Sequence, residues 1–142
     1  MTKFLLAFVT TLLICLPVIP QHSEHSSPST AAPIRLLSTK GLVSHKVSTT
    51  NIDAQKYFDQ GLSLYYAFNE VDAARSFERA AELDPTLAIA WWGIALSKSG
   101  YGNAKSGAVR DMKAARAALE KAKGLSAPPQ ERAYIEALAK RF

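Results

Sequence analysis

The chain has 142 residues, of which 48% are hydrophobic and 20% are charged, a balance that suits one small globular unit. Its net charge of +5 favours acidic surfaces in a general way. No recognition motif accompanies that charge, so a nucleic-acid-binding protein is not indicated. The only cysteine, Cys15, lies in an N-terminal apolar run, which excludes a disulfide within the chain.

The N-terminus, residues 1–22, is predicted to be a signal peptide or an N-terminal membrane anchor. A short basic start precedes an apolar run from Phe4 to Ile19, which is short for a membrane span and of a suitable length for a secretory signal. We expect cleavage between residues 20 and 32, with an uncleaved anchor as the alternative. Both place the remainder outside the cytoplasm, in the periplasm, the cell envelope or the extracellular space, with membrane contact only through an uncleaved N-terminal segment.

Residues 23–50 are rich in Ser, Thr and Pro and are predicted to form a flexible tether. Two short apolar islands, residues 34–37 and 41–43, either dock on the helical part or pair as extended segments. His22 and His25 are three residues apart, but only Glu24 stands beside them, so no metal site is predicted.

Apolar residues recur at helical spacing throughout residues 51–142, which predicts an all-α domain of about five helices. Asn51 or Asp53 is the expected cap of the first helix. Gly124 is the expected C-terminal cap of the fourth helix, and Pro128-Pro129 opens the fifth. The third helix has apolar residues on nearly all sides and should be the most buried. The first predicted helix ends at about residue 68, and the others cover about residues 71–83, 86–99, 107–123 and 128–142. The predicted inner face of the second helix is Val71, Ala74, Phe77, Ala80 and Ala81, and the predicted apolar face of the fourth helix includes Val109.

The helices repeat with a period of 34 residues. Trp91 follows Tyr57 and Ala95 follows Gly61 at that distance. In the second helix of each repeat the matching residues are 42 apart, as Ala115 is from Ala73 and Leu119 from Phe77. About eight residues are therefore inserted near residues 100–107. This divides the domain into repeat 1 (54–87), repeat 2 (88–127) and a half repeat (128–142). The predicted packing positions are Tyr57, Gly61, Ala73, Phe77, Ala80, Pro85, Trp91 and Ala95.

Residues 41–142 resemble the N-terminal part of a group of exported bacterial tetratricopeptide-repeat (TPR) proteins. The resembling phrases begin at Gln55-Lys56-Tyr57, and others are Leu83-Asp84-Pro85, Trp92-Gly93-Ile94 and Glu131-Arg132-Ala133-Tyr134. The resemblance implies a solenoid of antiparallel helix pairs, here two and a half repeats. It also implies a chain truncated relative to the family, and no defined biochemical activity.

In a TPR architecture the first helix of each repeat lines a concave face. The positions between the packing residues on these helices would form an apolar groove for an extended peptide or a partner helix. The predicted groove residues are Phe58, Leu62, Tyr65, Trp92 and Leu96. The alternative is that the tether or missing downstream repeats cover them. Because these positions lack the Lys and Asn of chaperone-tail clamps, a chaperone-tail adaptor is not expected.

The predicted function is therefore protein–protein interaction, with a protein or peptide partner of unknown identity. No phosphate loop, GxSxG turn, HExxH or CxxC motif occurs, so we expect no catalytic residues, cofactor or enzyme activity. Glu131, Glu136, Glu78 and Glu82 are interpreted as surface and capping residues. Two alternatives stay open. One is a truncated, non-functional fragment with a self-occupied groove. The other is a basic surface within residues 98–123 that binds anionic lipid or nucleic acid.

Overall fold

The computed structural model describes residues 32–38, 43–100 and 110–142, and in these ranges the protein is all-helical, with no β-strand. The predicted targeting segment, the first part of the tether and residues 101–107 of the predicted insertion lie outside the described residues. Among the described residues, no helix is long and apolar enough to cross a membrane. The described helices are α1 (Ile52–Tyr66), α2 (Glu70–Leu83), α3 (Ala88–Ser99), α4 (Met112–Gly124) and α5 (Pro129–Ala139).

Polar side chains cap most of these helices at their first turn. The Asn51 side chain accepts the backbone N–H groups of Asp53 and Ala54, so Asn51 rather than Asp53 is the cap of α1. Asn69 caps α2 in the same way. Proline opens α5 at its first turn, as predicted, where its missing N–H costs least.

The start of α4 differs from the prediction. The helix begins at Met112 rather than near residue 107, because Asp111 takes the cap position and accepts the Ala114 N–H at 2.9 Å. Gly124 is the last helical residue rather than a left-handed cap, and the C-terminal cap is Leu125 in an extended conformation. The predicted contribution of Val109 to this helix lies outside the described residues.

Helix α3 occupies the centre of the fold. It packs against α1, α2, α4 and α5, and α5 packs more against α3 than against its chain neighbour α4. Nine of its 12 residues are buried, a larger share than in any other described helix. This confirms the prediction that the third helix is the most buried element.

The predicted packing positions lie mostly in the core. Gly61, Ala73, Phe77, Ala80 and Ala95 are buried, Tyr57 and Trp91 are half-buried, and Pro85 is exposed.

The inner face of α2 was predicted to include Val71, and this was wrong. Val71 is 61% exposed, whereas Glu70 is buried. Val71 is two positions before the buried Ala73, which places Val71 on nearly the opposite side of the helix.

Candidate functional site

Residues 43–50, which we call the strap, lie extended along α1 and lead directly into it. Their direction is opposite to that of the helix. Three strap N–H groups, at every second residue, each donate to a side chain of α1. These bonds are Val43 N–H to Ser63 Oγ (2.8 Å), His45 N–H to Asp59 Oδ1 (2.9 Å) and Val47 N–H to Gln55 Oε1 (3.0 Å).

The two spacings match because of elementary chain geometry. Gln55, Asp59 and Ser63 are four residues apart, and four residues of α-helix rise by about 6 Å. Two residues of extended chain advance by about 6.6 Å. One row of side chains on a helix can therefore bind alternate N–H groups of an antiparallel extended segment. We call this row, Gln55, Asp59 and Ser63, the α1 ladder.

The Gln55 side chain also binds the strap through its amide nitrogen. Its Nε2 donates to the His45 carbonyl at 2.8 Å and to Asp59 Oδ1 at 3.0 Å. The Gln55 amide therefore pairs with the strap through both a donor and an acceptor.

The C-terminal end of the strap is held by α5 and by the end of α2. Ser48 donates its N–H to Glu131 Oε1 at 2.7 Å and its hydroxyl to Glu131 Oε2 at 2.8 Å. Thr49 donates its hydroxyl to Asp84 Oδ2 at 2.6 Å. This donor, ahead of the further hydrogen bonds from Thr86, lowers the pKa of the Asp84 carboxyl.

Glu131 was interpreted from the sequence as a surface or capping residue, and that interpretation was wrong. The residue is only 6% exposed and its carboxylate accepts both donors of Ser48. The other three acidic residues match the surface interpretation more closely. Glu136 and Glu82 are exposed, and Glu78 forms an ion pair with Lys98 at 3.0 Å.

Only one side chain of the strap is fully buried. Val47 is 5% exposed and belongs to the core cluster. The half-buried His45 ring lies 6.4 Å from the Phe58 ring and 6.3 Å from the Tyr134 ring, measured between centroids. The strap therefore enters the core at one residue and touches its aromatic edge at another.

Beside His45, the strap, α1, α3 and α5 enclose a small cavity of 70 Å³. The walls are mainly aromatic, with the Trp92 and Tyr134 ring centroids 5.7 Å apart. Tyr66 is 60% exposed and Tyr134 is 43% exposed, so these rings form the rim. The lining residues are His45, Phe58, Leu62, Tyr66, Ile89, Trp92 and Tyr134.

The predicted groove residues do not form an open groove. Phe58, Leu62, Tyr65 and Leu96 are buried in the core, and Trp92 is half-buried. The structure brings Phe58, Leu62 and Trp92 together at the cavity, but Tyr65 and Leu96 do not line it.

Sequence reasoning missed the polar part of the site. The α1 ladder, Glu131 and the rim residues Tyr66 and Tyr134 were not proposed as binding residues. Two signals pointed to the ladder: three polar residues four apart on α1, and Val43, His45 and Val47 in strict alternation.

A second part of the predicted tether, residues 32–38, lies against a different side of α1 through Gln60. The buried Gln60 amide accepts the Leu37 N–H at 2.7 Å and donates to the Arg35 carbonyl at 3.0 Å and to Ser76 Oγ at 3.1 Å. Tyr57 donates to the Ile34 carbonyl at 3.2 Å. The first apolar island therefore docks on the helices, while Gly41 and Leu42 of the second lie outside the described residues.

Several charges of the predicted basic surface are engaged within the protein. The Lys121 ammonium lies 5.8 Å from the centroid of the Trp91 ring. Arg116 donates to the Phe142 carbonyl, Lys98 pairs with Glu78, and Lys123 pairs with Glu120. The two ion pairs reduce the positive charge that this face offers to an anion.

In the described part of the chain, no group of three or more His, Cys, Asp or Glu side chains could hold a metal ion. Comparison of the chain with protein-family models, with curated proteins and with solved structures found no match.

Proposed function

We propose that this protein is a TPR-like interaction module that holds an extended peptide on the face formed by α1, α3 and α5. The observation that carries this proposal is the strap. An extended segment lies on this face already, and the α1 ladder satisfies its backbone at every second residue. Because these bonds go to the peptide backbone, they suit many peptide sequences, and a side-chain pocket supplies selectivity.

The aromatic cavity is the natural pocket for such selectivity. Trp92 and Tyr134 line it, and aromatic side chains supply much of the energy of protein–peptide interfaces. The site residues of the proposal are therefore the α1 ladder, Glu131, Phe58, Leu62, Trp92 and Tyr134.

The helical arrangement is consistent with a TPR-like solenoid. α2 packs on both α1 and α3, and α3 contacts α5, so that alternate helices form one face. The 34-residue spacing of Tyr57 and Trp91 supports the same architecture.

The proposal is tested with random peptides displayed on phage and selected against the full chain. We expect the selected peptides to bind the wild type with an affinity that Trp92→Ala lowers about tenfold or more, the range of an aromatic anchor. Trp91→Ala is the matched control. It removes the adjacent tryptophan, which is also half-buried but contacts Lys121 and the Pro85 carbonyl instead of the cavity.

Two results would contradict the proposal. If no peptide is enriched, or if both tryptophan variants lose binding equally, the cavity is not the peptide site. The salt dependence of the peptide affinity distinguishes the proposal from the basic-surface alternative. Binding that releases counterions weakens steeply as the salt concentration rises, whereas binding in an aromatic pocket does not.

A further inference from the structure

We infer that the strap is a built-in competitor for this site, and that the external ligand is an extended peptide that repeats the strap's chemistry. That chemistry is a His or aromatic residue, any residue, a small apolar residue and then a hydroxyl residue, running antiparallel to α1. This inference rests on the proposed function and adds the class of partner and the means of regulation.

Each position of this pattern comes from a contact. The His45 ring lies against Phe58 and Tyr134 at the cavity, which favours a flat ring there. Val47 is 5% exposed, which requires a small apolar side chain.

The remaining strap positions add one requirement and leave two positions free. Ser48 donates both its N–H and its hydroxyl to Glu131, which favours Ser or Thr. Ser44 and Lys46 are exposed, so their positions accept many residues.

The strap has the features of a segment that can leave its site. It is held mainly by hydrogen bonds from its backbone to side chains, and the side chains of Val43, Ser44, Lys46 and Ser48 are exposed. Segments with few buried apolar contacts open at low free energy while the rest of the fold stays intact. The helices do not depend on the strap for their backbone hydrogen bonds.

Covalent linkage nevertheless gives the strap an advantage over any free peptide. A tethered segment acts at a high effective concentration, so it occupies the site most of the time. The apparent affinity of an external peptide is then the intrinsic affinity multiplied by the small fraction of molecules in which the strap has left. Weakening the strap without touching the α1 ladder should therefore raise the affinity for a free peptide.

The experiment uses the full chain and a fluorescein-labelled peptide with the strap's own sequence, VSHKVSTT, as the probe in fluorescence anisotropy. Val47→Asp places a charge at the one buried strap position and leaves the site residues unchanged. We expect it to bind the probe about tenfold more tightly than the wild type does. Ser44→Asp is the control, because it adds the same charge at an exposed strap position, and it should bind like the wild type.

A probe peptide that carries Asp at the Val47 position should bind none of these proteins. In the Val47→Asp background, Asp59→Ala should reduce binding of the unmodified probe, since it removes the central acceptor of the α1 ladder. If Val47→Asp fails to fold, as judged by circular dichroism, Val47→Ala replaces it, and the expected gain is severalfold.

Equal binding of the probe to the wild type and to the folded Val47 variant would overturn the inference. If peptides selected on phage bind both proteins equally through Trp92 while the probe shows no preference, the proposed function stands and the strap is not a competitor. A stable dimer in light scattering, with the strap of one copy seated on a second copy, would also overturn it.

Discussion

A β-carbon built on Gly93 of α3 would lie 2.5 Å from the ring of Phe77 on α2. On the other side, a β-carbon on Gly61 of α1 would lie 2.8 Å from the same ring. The fully buried Phe77 is therefore enclosed between two glycines on two helices. This contact sets how closely α1, α2 and α3 approach one another.

Gly93→Ala should destabilise the protein by about 1–3 kcal/mol, the usual cost of forcing extra volume into a packed core. The measurement is urea unfolding followed by circular dichroism. Gly124→Ala is the matched control, because a β-carbon there meets nothing within 4 Å and the residue is helical. It should stabilise the protein by about 0.5–1 kcal/mol. Similar unfolding midpoints for the two variants would contradict the packing argument.

The turn between α1 and α2 carries a strained residue, Phe68, with a φ of +62°. Its N–H donates to the Tyr65 carbonyl, and the Asn69 N–H donates to the Leu64 carbonyl at 2.9 Å. These two bonds make a Schellman motif, in which glycine normally occupies the left-handed position. A bulky residue there costs free energy because its β-carbon crowds the backbone.

Phe68→Gly should therefore be more stable than Phe68→Ala by about 1 kcal/mol. Both variants remove the ring, and only glycine removes the β-carbon, so the comparison isolates the backbone strain. Thermal unfolding of the two proteins measures the difference. A higher midpoint for the alanine variant would show that the left-handed conformation is not costly at this position.

The Thr49–Asp84 hydrogen bond should make stability dependent on pH on the acid side. Because folding lowers the pKa of Asp84, its contribution is complete above the unfolded value of about 4 and is lost as the pH falls through the folded pKa. Thr49→Ala removes the largest cause of the shift. The difference in unfolding free energy between wild type and variant should thus be larger at neutral pH than at about pH 3.

Urea titrations of both proteins across this pH range provide the measurement. Thr50→Ala, a change at the exposed neighbouring residue, should show the same acid dependence as the wild type. A constant difference between the wild type and Thr49→Ala at every pH would contradict the assignment of the shift to the Thr49 hydroxyl.

Gln60 joins residues 32–38 to the helices through a buried amide that makes three hydrogen bonds. Gln60→Ala should cost about 1–3 kcal/mol, since it removes partners from buried or partly buried polar groups. Hydrogen exchange adds a local measurement, because the Leu37 N–H should lose its protection. Gln130→Ala, at an exposed position of α5, is the control and should change neither quantity. If the Leu37 N–H stays protected from hydrogen exchange in Gln60→Ala, its hydrogen-bond acceptor is not the Gln60 side chain.

Local patterns predicted the helices well because helix formation depends on nearby residues. Apolar spacing identified α1, α2 and α3 to within two residues at nearly every end, and Pro128-Pro129 identified the start of α5. The start of α4 was predicted too early because the spacing of apolar residues does not show which polar residue caps the helix. Asp111 takes that position, since its side chain accepts a backbone N–H of the first turn.

The candidate site was only partly predictable. Helical spacing grouped Phe58, Leu62 and Trp92, which all line the cavity, but it did not decide between an open groove and covered residues, and most of the proposed groove residues are buried. The bond between Ser48 and Glu131 joins residues 83 apart in the chain. A contact at that separation depends on the packing of α5 against α3, and no local period in the sequence encodes it.

The sequence by itself determined an all-α chain, its period of 34 residues and the burial of α3, because these depend on the spacing of apolar side chains along a helix. Only the tertiary structure decided that residues 43–50 of the expected tether lie along α1, and that Gln55, Asp59, Ser63 and Glu131 hold them there. The reason is that an extended segment satisfies few of its backbone groups by itself, so its position is set by the donors and acceptors of the elements beside it.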